Sequence, residues 1–119
     1  MAEFVKLIES DDCITVAFYI KDEQVMALGE RLAEICEDAY MNGYNWDALL
    51  SCYLRKNMRA LMNGMETDPE AGMYAAYYGT DDESRARAQA LAELIGDLVT
   101  DGDELCEFVG QYGEEIEWE

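Results

Sequence analysis

At Asp22 the hydrophobic period of this chain changes from about 2 residues to about 3.6, a switch that commits it to a mixed α+β fold. Upstream, residues 4–8 and 13–20 are rich in β-branched and aromatic side chains and flank the polar cluster Glu9-Ser10-Asp11-Asp12. That pattern predicts an antiparallel hairpin. In the second run Ile14, Val16, Phe18 and Ile20 alternate with Cys13, Thr15, Ala17 and Tyr19, so the first set is expected to face the core. Downstream, Val25, Leu28, Leu32, Ile35, Cys36 and Ala39 fall on one face of a helix, with Asp22 as its N-cap and Asn42-Gly43 as its expected close.

Asn45 is expected to cap a second helix whose stripe is Trp46, Leu49, Leu50, Tyr53, Leu54 and Met58, running toward Asn63-Gly64. Residues 65–71 hold the only proline and read as an ordered loop. Residues 72–79, aromatic and bounded by glycines, read as a third strand. Thr80 and Glu83 match a capping box ahead of a helix carrying Ala88, Leu91, Ala92, Ile95, Leu98 and Val99, closed near Gly102. A fourth helix is expected to start at Asp103 and turn Leu105, Val109 and Tyr112 inward. Residues 115–119 alternate acidic and apolar like a strand with one wet face. The expected architecture is α+β: one domain spanning residues 1–119, a small antiparallel sheet packed against about four helices.

Charge limits what such a domain can meet. There are 27 Asp and Glu against 8 Lys and Arg and no histidine, a net charge of -19. This field repels phosphate backbones and anionic membranes and attracts basic surfaces. The bases end at Arg87, while residues 88–119 contain ten acids. Most of the negative potential is therefore expected on the last third of the chain. The absence of histidine removes Ser-His and Cys-His pairs and the commonest metal ligand. Asp101-Gly102-Asp103-Glu104 begins like a calcium loop, but Leu105 stands where a ligand is needed and Cys106 where glycine is needed. No catalytic residue, cofactor or metal site is expected. Cys13, Cys36, Cys52 and Cys106 fit neither a metal knuckle nor a disulfide framework and are expected to be free thiols. The opening Met-Ala-Glu-Phe-Val-Lys lacks a signal-peptide pattern, and no apolar run has the length of a membrane span, so a cytoplasmic location is expected.

Four segments resemble the immunity protein 51 family of bacterial polymorphic toxin systems. They are Val5-Lys6-Leu7-Ile8, Ala39-Tyr40-Met41-Asn42-Gly43-Tyr44-Asn45-Trp46, Asp68-Pro69-Glu70-Ala71-Gly72-Met73-Tyr74 and Ile116-Glu117-Trp118. The resemblance implies an α+β protein that neutralises a toxin by tight binding and brings no catalytic residues with it. Nuclease toxins present basic clefts, which fits the acidic field. The reading is thus an immunity protein whose partner is a cognate basic toxin, with no direct contact to nucleic acid or membrane. The alternative is an acidic nucleic-acid mimic that occupies a DNA- or RNA-binding protein. Acids beside aromatic anchors mark the expected interface: Asp68, Glu70, Tyr78, Glu115, Glu117 and Glu119 as contacts, with Trp118 either anchoring the tail in the core or joining the interface.

Overall fold

The computed structural model describes residues 2–119. Strands β1 (Val5–Glu9) and β2 (Ile14–Tyr19) form the expected hairpin, closed where Ser10 and Cys13 bond through backbone and hydroxyl. Helix α1 (Glu23–Ile35) follows, then α2 (Gly43–Asn57), a short 3-10 turn (Arg59–Met62), β3 (Glu66–Thr67), β4 (Met73–Tyr78), α3 (Asp82–Thr100) and α4 (Asp103–Tyr112). The four strands make one antiparallel sheet in the order β1-β2-β4-β3.

Register decides which face is buried. Ile14, Val16 and Phe18 stand opposite Tyr78, Ala76 and Tyr74, so these six share one face, and all are buried. Helix α3 lies against β1, β2 and β4 on the strength of Ala88, Leu91, Ala92, Ile95 and Val99, while α1 and α4 pack against each other beside it. Trp46 of α2 meets Phe18 edge-on with ring centroids 5.0 Å apart, joining that helix to the same core. An edge-on pair of this kind adds about 0.5–1.5 kcal/mol to its area burial.

Several boundaries differ from the sequence reading, each for a local reason. The pair Asn42-Gly43 does not close α1, whose last capping bond runs from the Cys36 amide to the Leu32 carbonyl. Asn42 instead opens α2: its side chain accepts from the Asn45 amide at 2.9 Å, so Asn45 lies inside the first turn. The early end of α1 leaves Ile35 exposed, while Ala39 tucks into the core from the connecting segment. Helix α3 is capped by Asp81, one residue after the expected Thr80, because the Asp81 carboxylate reaches both the amide and the hydroxyl of Ser84 at 2.9 Å. Those two bonds hold the Asp81 carboxyl below its ordinary pKa. The 65–71 loop contributes Glu66 and Thr67 as an edge strand on β4. Residues 113–119 form no strand, being turned at 113–115. All four cysteines are free thiols, with Cys52 buried. Among the described residues no helix is long and apolar enough to cross a membrane.

Candidate functional site

The first turn of α2 is where three distant stretches of chain meet. The Gly43 amide donates to the Ala71 carbonyl at 3.0 Å, which brings the 68–74 segment against the helix start. From the other side, the fully buried Asn45 side chain holds the end of the tail. Its Oδ1 accepts from the Glu119 amide at 2.7 Å, and its Nδ2 donates to the carbonyls of Tyr40 at 2.7 Å and Glu119 at 3.4 Å. A buried amide with this many partners repays its desolvation and fixes the segments it joins. Nothing in the sequence pattern marked Asn45 as more than a helix cap, because its partners lie up to 74 positions away.

This junction redistributes the expected contact residues. Glu117, Trp118 and Glu119 line a surface hollow with Asp38, and Glu117 and Glu119 line a second with Tyr44, Asp47, Ala48, Ser51 and Arg55. The Trp118 ring is half-buried and donates to the Gly113 carbonyl at 3.0 Å, so it fastens the tail to the end of α4. Glu115 is exposed but engaged, its carboxylate 3.1 Å from Lys56, whose ammonium also sits 4.3 Å over the Tyr112 ring. Asp68 and Glu70 are exposed on the other side of the junction, with Asp68 accepting from the Tyr77 hydroxyl at 3.2 Å.

Tyr78 is not a surface residue. It is only 2% exposed, and its hydroxyl donates to the Leu61 carbonyl at 2.6 Å, with burial pushing its pKa up to about 12. The expectation of Tyr78 as a contact is corrected by sheet parity: neighbouring strand residues face opposite ways, and here Tyr77 takes the outer face. Sequence alternation alone gave no means of saying which of the two was outward.

Electrostatically the last third of the chain, which reaches the site through its tail, is rich in uncompensated carboxylates. All ten acids of residues 88–119 are exposed. Asp103 pairs with Arg31 at 2.8 Å, Glu115 pairs with Lys56, and Glu104 accepts from the Tyr53 hydroxyl. Among the described residues Glu93, Asp97, Asp101, Glu107, Glu114, Glu117 and Glu119 have no ion-pair partner. Asp47, on α2 and outside that stretch, is half-buried at the site. Burial raises its carboxyl above the ordinary value, the nearby hydroxyls of Thr67 and Ser51 pull it back, and Glu119 pushes it up further. One of its oxygens is buried without a partner.

A carboxyl raised on folding contributes stability that is fully present below its unfolded pKa and is lost as pH climbs through the folded value. Asp47→Asn is therefore expected to raise the thermal midpoint near pH 7 and to leave it unchanged at about pH 3, where both states hold the proton. A midpoint at neutral pH that falls in the Asn variant would contradict the burial of an unfavoured charge.

Among the described residues no group of three or more metal-ligating side chains is gathered. What the arrangement offers chemically is a set of acids beside tyrosines on a fixed backbone, suited to recognising cations. A family model described as immunity protein 51 matches residues 5–114. No curated protein and no solved structure matches the chain. Of the segments expected to resemble that family, 39–46 and 68–74 lie within the matched residues and are parts of the junction described above, while 116–118, also at the junction, lies beyond the match.

Proposed function

The chain belongs to the immunity protein 51 family, and on that premise we propose that it binds and neutralises a cognate bacterial toxin through its acidic surface. The partner is a basic protein, most simply a nuclease whose cleft is built to hold a polyanion. The chain acts by occupying that protein rather than by catalysis, and in the cytoplasm, where the toxin would otherwise act. It does not itself contact nucleic acid or membrane, both of which its charge repels.

The observation that carries this reading is the run of ten exposed acids in residues 88–119, seven of them with neither an ion pair nor a side-chain hydrogen bond among the described residues. Self-repulsion of this size works against the compact state, so an opposite field on a partner is what would relieve it. The tail acids Glu117 and Glu119 stand at the junction with Asp38, Tyr44 and Asp47, and they are the best-placed contacts. Asp68 and Glu70 flank the same junction, with Trp118 anchoring the tail that presents the acids. Glu115 serves through its pair with Lys56, which holds the tail in place.

Charge reversal tests the placement without touching the core. Glu117→Lys with Glu119→Lys is expected to lower the rate of toxin association by about tenfold or more while the variant stays folded. Unchanged neutralisation by the folded double variant would remove the tail from the interface.

A further inference from the structure

Among the described residues six large apolar side chains are exposed, and the two most open of them share one site. Tyr40, 75% exposed, and Met26, 53% exposed, are the most open of them, and both line a single groove of about 260 Å³ between α1 and the segment that leads into α2. Ile20, Val25, Ala33, Met41 and Trp46 complete its walls, and Glu30 is the one charged residue that lines it. Exposed apolar area gathered into a concave site, with acid at its edge, is the composition of an interface centre and not of a solvated surface.

Tyr40 is also held ready. Its amide donates to the Asp38 carbonyl at 2.9 Å and its carbonyl accepts from the buried Asn45 side chain at 2.7 Å, so its backbone is clamped while its ring stands in solvent. A ring offered on a fixed backbone loses little freedom on binding. At the groove's floor, Trp46 is 1% exposed and its indole N–H finds no acceptor within the described residues, a donor that the fold itself leaves unused. Asn45 bonds the backbone of both Tyr40 and Glu119, and Glu119 shares a neighbouring hollow with Asp38 and Glu117.

Resting on the toxin-binding reading above, we propose that this groove is the desolvated centre of the interface and that it takes a segment of the basic toxin carrying one large apolar side chain flanked by lysine or arginine. The apolar side chain enters between Met26 and Tyr40. The flanking cations meet Glu30 on one side and Asp38, Glu117 and Glu119 on the other. The two parts of the surface then divide the labour: the acids set how fast the toxin arrives, and the groove sets how slowly it leaves.

The experiment uses the full chain and, as candidate toxin, the protein encoded by the gene adjacent to its own. Met26→Ser with Tyr40→Ala, both at exposed positions, is expected to raise the dissociation rate by roughly 100-fold with the association rate changed less than about threefold. In the wild-type complex, oxidation of Met26 by hydroxyl radicals is expected to fall, while Met58, exposed beyond the far end of α2, is oxidised as in the free chain. A complex that forms with undiminished Met26 oxidation and an unchanged dissociation rate in the double variant overturns the groove and leaves the toxin-binding function standing. A wild-type chain that does not bind the toxin overturns both.

Discussion

Gly43→Ala is expected to destabilise the protein by about 3 kcal/mol or more, although it adds a single methyl group and improves helix propensity. A Cβ at this position would stand 1.7 Å from the Glu70 carbonyl oxygen and 2.5 Å from that of Met73. Both atoms are backbone, so no side chain can rotate away. Relief requires the 68–74 segment to move off α2, which breaks the bond from the Gly43 amide to the Ala71 carbonyl and disturbs the pairing of Glu70 with Met73. Each lost bond adds about 0.5–1.5 kcal/mol to the strain. Gly110 in α4 provides the matched control. There the nearest atom to an added Cβ is Ile35 Cγ2 at 3.8 Å, an ordinary contact, so Gly110→Ala is expected to stabilise by about 0.5–1 kcal/mol. Urea midpoints of the two variants should lie on opposite sides of the wild type, and equal midpoints would show that the loop does not press on α2 as described.

The rate at which the toxin associates is expected to fall roughly 100-fold as salt rises from about 10 mM to about 150 mM, with dissociation changing much less. The reason is the distribution of charge more than its sum. With a net charge of -19 and ten exposed acids on the last third of the chain, the attraction acts over distances that low salt leaves unscreened. Once the complex has formed, short-range packing decides its lifetime, and salt has little hold on that. Stopped-flow mixing at a series of salt concentrations measures both rates. An association rate indifferent to salt would reject electrostatic steering, and so would a toxin that proves neutral or acidic.

Local chemistry along the chain determined a good deal. The alternation of Ile14, Val16 and Phe18 and the helical spacing of Leu91, Ala92 and Ile95 located elements whose core faces the structure confirms, because burial periodicity is set within a few residues. Composition, likewise, was enough to establish the acidic field. Asn42-Gly43 and Thr80 show where local reading stops. A cap is chosen by which side chain reaches a free amide, and neighbouring Asn, Asp and Thr compete for it within one or two positions.

The candidate site was less legible because it is assembled from contacts across the chain. Tyr77 and Tyr78 are equivalent in an alternating pattern, and only the pairing of β4 with β2 fixed which of them entered the core. The tail reads as a strand by its acidic-apolar alternation, yet it pairs with no strand because Asn45 takes its backbone and Gly113 takes the Trp118 ring. Sequence determined that this protein is acidic and mixed in architecture. Tertiary structure alone decided which acids stand together and which aromatic rings face solvent, since both depend on contacts between residues far apart in the chain.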